Sequence, residues 1–594
     1  MKHMSLLTEG QVGLNLIHAL LKPESIFVSN SMSASIHLPP HLRAWLDGWG
    51  QELRTDLEQA FHAVASPIAW PDFIFDAKPL QGSRPCCSSR PSRPSRPSHP
   101  SAACGLRVGT DCSGVESPIH ALKSLGVCHR HLFSSECATA PRKVIEANTL
   151  PTHRFLEDVH CPSNVLPHVD LYVSGFSCKP FSMLHWGTAL LDEEEAKVFY
   201  SVLQRIQALR PAVFVLENVR GISRCMTAVL SLLEGAGYKV VVENFNPIDL
   251  GEPLNRPRFY FLGIRADLAR ATQAEAQSFC KQVWSKLSQQ RLQRNKALHG
   301  TPVVPLWERL LSDDSELVIA HRERCLQRWN EAKQAGFPES RGKCKWKQTH
   351  REWEEGRELK LAEGNLQLAE LTPDKLHLHL PRERDAWWKL IHTFGEPVQV
   401  IADISQSLGR MPCRTDGVLP TITPGSHIVV GAFGRTLISH EKLLLHGLPL
   451  HRMVLPKEIS DSELESMGGN MMHLQTVAVA MVVALSLVDW SQPHAHSFVP
   501  APVFPAVPAV PAIPAIPAVP ASAATKPRGR KAKHKKPSAA GTKLECQLKA
   551  RFGIGARTAP SAKVRRATKR VAKTKRCPKA VECLRGTRWA SKRL

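Results

Sequence analysis

Cys178 lies in VSGFSCKPFS, residues 173–182, directly after the apolar run VDLYVSGF, which reads as a buried strand; Gly175 and Pro180 shape the turn around it. The residues alone leave two readings open. A thiol here can be structural, since cysteine is among the most buried residue types. It can also be a nucleophile at the carboxyl end of a sheet strand, where open α/β sheets gather their ligands. Glu217, in ENV, closes a later apolar run, AVFVLENV. A carboxylate beside a cysteine raises the thiol's pKa, so this pair is no thiol-protease dyad. The acid makes sense if it serves the substrate. A cytosine ring attacked at C6 by a thiolate needs a proton or hydrogen bond at N3, which a protonatable glutamate supplies. NRPRFYF then puts Arg256 and Arg258 two residues apart on one face of a strand start. Two guanidinium groups there can hold a phosphate or the O2 carbonyl of a base.

A second group of residues points to a cofactor. In GTDCSGVESPIHALKSLG a strand ends in a tight turn through Cys112, Ser113 and Gly114 and opens a helix, a turn that brings backbone amides to a ligand. Glu136 ends the next strand, where an acid accepts hydrogen bonds from ribose hydroxyls. Asp158, in FLEDV, ends the third, within reach of an adenine amino group. Each acid alone is more often a helix N-cap. Acceptors at successive strand ends together describe an adenosine-type cofactor.

The elements that must position these groups follow from hydrophobic patterning. GLRVGTDC, RHLFSSE, HRFLEDV, VDLYVSGF, AVFVLENV, KVVVENF and RFYFLGIR read as strands. SPIHALKSLG, EEEAKVFYSVLQRIQAL and TAVLSLLEGAGY read as helices between them. This alternation predicts an α/β fold, a doubly wound, mostly parallel sheet with helices on both faces. Seven segments divide the chain: an N-terminal region (1–82) with no assigned chemistry, a Ser/Arg/Pro linker (83–103), the α/β core (104–269), a region rich in Arg, Lys, Gln and Trp (270–397), a compact return (398–492) that ends in the helical LQTVAVAMVVALSLVDW, a Pro/Ala/Val repeat (493–525) and a basic tail (526–594). The two low-complexity linkers and the tail cannot bury a core and are expected to be disordered.

The charge is concentrated at one end. Of a net +24, residues 526–594 hold 24 Lys and Arg against Glu545 and Glu582, so the other 525 residues are close to neutral. A neutral body with a strongly basic tail fits a polyanionic partner, DNA or RNA first; basic side chains interleaved with tryptophan in 270–397 fit the same partner and equally fit solvated helices with core tryptophans. The sixteen cysteines form no C-x-x-C pair, so no metal site is expected, and their scatter fits a reducing compartment. No membrane span is expected, and Glu9 with a short apolar run argues against a secretory signal.

Taken together these blocks resemble the cytosine-C5 DNA methyltransferases, which use S-adenosylmethionine. The resemblance covers about residues 104–265 and 410–490. DCSGVES is similar to the family's FxGxGG cofactor loop, GFSCKPFS to GxPCQxFS, ENV matches as written, and PLNRPR resembles PQxRxR. GVLPTITPGS and RTLISHEKLLLHGLP resemble the segment after the target-recognition region, and ISDSELESMGGNMMHLQTVAVAMV the closing GN motif that carries Asn470. The resemblance implies a Rossmann-like methyltransferase fold and S-adenosylmethionine bound by Cys112, Ser113, Gly114, Glu136, Asp158 and Asn470. It implies Cys178 adding to C6 of a flipped cytosine in double-stranded DNA, with Glu217 at N3 and Arg256 and Arg258 orienting the base. Residues 270–397 would recognise sequence. Alternatives are an RNA (tRNA) cytosine-C5 methyltransferase and a catalytically degenerate chromatin protein. KPRGRKAKHKK (526–536) resembles an AT-hook, and AKVRRATKRVAKTKR a linker-histone tail; both imply DNA or chromatin contact and a nuclear location.

The chain departs from the family pattern at Ser177 for Pro, Lys179 and Leu254 for Gln, Glu116 and Ser117 for Gly-Gly, and Met471 for Ser. Glu116 is expected to crowd the cofactor's carboxylate, Ser177 to loosen the Cys178 loop, and Lys179 to lower the thiol's pKa.

Overall fold

The computed structural model describes residues 36–75, 105–181, 191, 196–336, 371–394, 399–406 and 411–492. The linker 83–103, the Pro/Ala/Val repeat and the basic tail lie outside the described residues, as does the start of the helix expected from residue 193.

Seven strands form one sheet: β1 (Leu106–Asp111), β2 (His129–Ser135), β3 (Arg154–Leu156), β4 (Leu171–Ser174), β5 (Val213–Val219), β6 (Tyr238–Phe245) and β7 (Arg258–Arg265), in the order β3-β2-β1-β4-β5-β7-β6. The pairs from β3 to β5 are parallel, and β7 runs antiparallel between β5 and β6. This is the Rossmann-like order of a methyltransferase sheet, and all seven strands fall where the patterning put them. β5 shows why the pattern is legible. Val213 and Val215 belong to one apolar cluster and Phe214 and Leu216 to the other, so both faces are buried and the strand reads as an unbroken apolar run.

Helices α2 (Ser117–Leu125), α3 (Thr139–Asn148), α4 (Lys197–Leu209) and α5 (Met226–Gly235) cover the two faces. The sequence reading missed α3. Its residues TAPRKVIEAN carry a proline in the first turn, which reads as a loop although Pro is tolerated there. Further on come α6 (Gln273–His299), α7 (Glu316–Gln334) and α8 (Pro381–Phe394). A second, four-stranded sheet is built from β8 (Ile401–Asp403), β9 (Cys413–Arg414), β10 (Ile428–Val430) and β11 (Arg435–Thr436). Finally α9 (Ser439–Leu444), α10 (Asp461–Asn470) and α11 (Leu474–Ser486) bring the chain back to the first sheet.

All thirteen residues of α11 are buried, and the helix packs against α2, β5 and β7. The stretch Asp461–Ser486 is long and apolar enough to cross a membrane, contrary to the expectation of no such run, but 94% of its apolar window is buried inside the protein. It is core.

The N-terminal region is core as well. Helix α1 (Pro40–His62) buries Leu42, Leu46, Trp49, Leu53 and Leu57 in the cluster that also holds α2, α6 and α11. Likewise α6, expected to begin a separate recognition region, packs along β6 and α1. The α1–α2 crossing is close: a Cβ on Gly50 would lie 2.0 Å from the Ser124 carbonyl oxygen, whereas one on Gly48 would meet nothing nearer than 3.9 Å. Gly50→Ala is therefore expected to destabilise by about 1–3 kcal/mol through overpacking. Gly48→Ala should be neutral or stabilising by up to about 1 kcal/mol, since alanine is the better helix former. Urea unfolding of the two variants checks both.

Candidate active site

The loop after β1 is tightly wound. Cys112, Gly114 and Glu116 all have positive φ (51°, 58° and 60°), a conformation free for glycine and unfavourable by about 1–2 kcal/mol for the other two. The chain holds this shape with side-chain hydrogen bonds. Glu116 is fully buried, and its Oε1 accepts from Thr110 Oγ1 (2.9 Å) and from Ser134 Oγ, with His131 Nε2 at 3.7 Å. The expected crowding of the cofactor's carboxylate by Glu116 is thus corrected: the side chain is turned between β1 and β2, where Oε1 is held and Oε2 is buried without a partner. Ser113 Oγ lies 3.0 Å from Ser134 Oγ and ties the turn to the end of β2.

Gly114 N–H donates to Glu136 Oε2 and Ala138 N–H to Glu136 Oε1, both at 2.9 Å. Burial raises the Glu136 carboxyl above its ordinary range against the pull of these amides. Cys112, Ser113, Gly114 and Glu136 therefore form one group at the carboxyl ends of β1 and β2. Asp158 stands two residues beyond β3, half-exposed, and accepts from the N–H of His160 at 3.0 Å within its own loop. Cys137, which the sequence reading passed over, feels the charge of both Glu136 and Asp158.

Strand β4 stops at Ser174, so Cys178 sits in the following loop, four residues past the strand end and just before a 3-10 turn, Lys179–Phe181. Asn218 pins this loop by donating Nδ2 to the Phe176 carbonyl at 3.0 Å. Cys178 is half-buried. Burial first, and then the Glu217 charge, push its thiol above the usual range, while Arg258 and Arg256 pull it down. Lys179, expected to supply that pull, is exposed, and the cations acting on the thiol are the two arginines.

The β5–β7 register decides how those arginines are used. Val219 stands opposite Arg258, which puts Glu217 two residues along on the same face. Arg258 Nε meets Glu217 Oε1 at 3.0 Å, with both side chains largely buried. Burial raises the Glu217 carboxyl, and Arg258, then Arg256, oppose that shift. Arg256 itself corrects an expectation. Its guanidinium donates to the carbonyls of Ile422 (2.7 Å), Gly469 (3.0 Å) and Met471 (2.8 Å), so it braces the C-terminal segment instead of facing a base. Burial brings its pKa down to about 9.

That brace carries the last motif to the site. Met471 Cα lies 3.9 Å from the point where a Gly114 Cβ would be, and the Met472 methyl 2.7 Å from that point at Gly175. Asn470 does not join them: it is exposed and turns Nδ2 back to Ser466 Oγ at 3.4 Å. The two methionines that follow it are the residues that close on the loops, and the apolar types gave no chemical signal to find them by.

Residues 112–374 match the family model for C-5 cytosine-specific DNA methylases. That stretch of this chain is similar to the family. Among curated relatives, the type II methyltransferase M.NgoBI of Neisseria gonorrhoeae is 31% identical over 140 residues, 22% of this chain and 43% of the relative. M.NlaIV of Neisseria lactamica is 29% identical over 156 residues, 24% of this chain and 36% of the relative. The chain thus spans less than half the length of the curated relatives it matches. The crystal structure of the S. pombe Dnmt2 methyltransferase aligns with a TM-score of 0.38 at 10% identity, covering 64% of this chain and 98% of that one. The fold assignment rests on the strand order of the sheet, not on that likeness.

The electrostatics of the candidate site are open to a direct check. Glu217→Gln removes the charge that raises the Cys178 thiol, so its pKa should fall and alkylation of Cys178 by iodoacetamide at pH 8 should speed up severalfold. Lys179→Ala should leave that rate unchanged. Peptide mapping by mass spectrometry reads both.

Proposed function

We propose that the chain is a DNA cytosine-C5 methyltransferase that works through a covalent bond between Cys178 and C6 of a cytosine flipped out of the duplex. The observation that carries this reading is a half-buried thiol beside a carboxyl that burial biases toward its protonated form and that Arg258 holds in place. The Cys178 thiolate forms the S–C6 bond as the C5=C6 electron pair shifts to C5, and Glu217 gives its proton to N3. Once C5 carries its methyl group, a water or hydroxide from solvent takes the C5 proton, the C–H electron pair re-forms C5=C6 and expels the Cys178 thiolate, and N3 returns its proton to Glu217. Arg258 keeps the glutamic acid facing the ring. Arg256 acts through the backbone and is a positioning residue.

S-adenosylmethionine fits the neighbouring loop. Gly114 offers a turn without a side chain, and Glu136 stands at the end of β2 with carboxylate lone pairs beyond the two that the amides use. Asp158, half-exposed, remains available at the third strand end. Asn470 does not fit as a ligand, because its side chain points away along α10. When bound, the cofactor supplies the methyl group that C5 accepts.

The basic tail 526–594 would hold the enzyme on DNA through phosphate charge without adding sequence preference, and would serve a nuclear enzyme. Target choice would fall to the elements between β7 and α9.

Incubation with S-adenosylmethionine and duplexes carrying 5-fluorocytosine, whose fluorine blocks the final elimination, should give a denaturation-resistant adduct with DNA. Cys178→Ala should abolish it. Glu217→Gln should slow trapping about 10²-fold although it speeds alkylation of the thiol, a pair of opposite effects that a general loss of structure does not produce. Adducts on RNA alone would move the substrate to RNA, and no adduct on either nucleic acid would favour a binding protein.

A further inference from the structure

Helix α1 lies outside the residues matched to the methylase family, yet two of its side chains are wired to the loop that leads into β7. Asp56, 4% exposed, accepts from Arg294 at 2.8 and 2.7 Å and from Arg291 Nη1 at 3.2 Å. Arg291 donates Nε to the Leu250 carbonyl at 2.9 Å and places Nη2 3.8 Å from Glu252 Oε1. From the other end of the helix, Trp45 lies 4.3 Å below the Arg309 guanidinium, whose Nε donates to Glu252 Oε2 at 3.0 Å. Gln475 of α11 holds the remaining oxygen at 2.8 Å. Glu252 is 2% exposed and kept ionised, its pKa drawn down to about 2 by Arg309 and Arg291 against the cost of burial.

Glu252 is therefore a buried anion whose two cations are each touched by α1. Four residues further on stands Arg256, six residues on Arg258. Between them the chain is held as a stiff segment, by Asn255 N–H to the Leu419 carbonyl and Leu419 N–H to the Pro253 carbonyl (both 2.9 Å), Thr421 Oγ1 to the Asn255 carbonyl (2.7 Å) and Arg256 N–H to Asn246 Oδ1 (2.8 Å), so a displacement at Glu252 is passed along it. If Arg291 loses its outer carboxylate, Arg291 and Arg294 lie side by side with only the more distant Glu52 and, for Arg291, Glu252 to offset their repulsion, and the cheapest relief is a shift of Arg291 toward Glu252 and of the Leu250–Glu252 backbone that it grips. Catalytic pairs tolerate little displacement, because misplacement on the order of 1 Å can cost about 10²-fold in rate.

We propose that Asp56 is a positioning residue for the Arg258–Glu217 pair, acting through Arg291 and Glu252, with Trp45 as a parallel route through Arg309. The inference rests on the function proposed above for that pair. It makes α1 a working part of the methylase site, 160 residues away in sequence from Glu217.

The test uses the full chain and two readouts: the pH midpoint of Cys178 alkylation, which needs no turnover, and the rate of adduct formation on 5-fluorocytosine DNA. In Asp56→Asn, Arg258 moves off and no longer lowers the thiol, so the alkylation midpoint should rise by about half a pH unit or more while trapping slows about tenfold. Asp56→Glu should restore most of both. Asp47→Asn, on the same helix, breaks a pairing with His451 and Arg452, each at 2.6 Å, and should move neither readout. Should Asp56→Asn fail to fold, Trp45→Leu should give the same two shifts. Wild-type values in the soluble variant, or equal shifts in Asp47→Asn, overturn the inference. If the wild type forms no adduct but the alkylation midpoint still moves with Asp56, the wiring stands and the proposed reaction falls.

Discussion

A largely buried carboxyl group is caught between two demands at Glu217. Burial favours the neutral acid, and a guanidinium 3.0 Å away favours the anion. The rest of the core is arranged around keeping that balance. β5 has to end where it does so that Glu217 emerges at the sheet edge, and β7 has to run antiparallel beside it so that Arg258 arrives on the same face. A parallel partner would bring its start to the other end of β5, and the ion pair could not form. The reversed strand in an otherwise parallel sheet is thus a condition of the site's electrostatics, not a decoration of the fold.

Further out, the chain uses charged groups as joinery. Arg256 is buried against three carbonyls that belong to the C-terminal return, and Glu252 gathers two arginines and a glutamine from three separate elements. Buried charges of this kind contribute little net stability, since desolvation offsets much of their attraction, but breaking one member is costly. What they do fix is geometry. Apolar packing alone would let the loop before β7 settle in several places. A guanidinium with three fixed carbonyl partners allows one.

The seven strands were legible because β1, β4 and β5 are buried on both faces and show as apolar runs, and Cys178, Glu217 and Gly114 were legible because each combines a reactive or permissive residue type with a strand end. Three things were not. Arg256 and Arg258 look alike in sequence, and only the strand register and the position of Gly469 and Met471, more than 200 residues later, make one a brace and the other a partner of Glu217. Asn470 had the right type at the right place in a motif, yet its rotamer follows the helix it ends. The role of α1 was hidden by the low-complexity stretch that separates it from β1, which reads as a boundary even though Trp49, Leu53 and Leu57 are packed into the common core.

Helix α11 is buried over its whole length and lies against α2, which precedes it by some 350 residues. Until the ribosome has made residue 486, the groove on β5, β7 and α2 that this helix fills stands open, with apolar surface on the nascent chain. At about 5–20 residues per second, that interval lasts on the order of 20–70 s. Contacts this distant in sequence also close slowly, because the loop entropy is lost before the helix is gained. The burial that makes the finished core rigid thus leaves apolar surface open on the growing chain for most of its synthesis, and a truncation anywhere before α11 removes the core's centre and not merely its end.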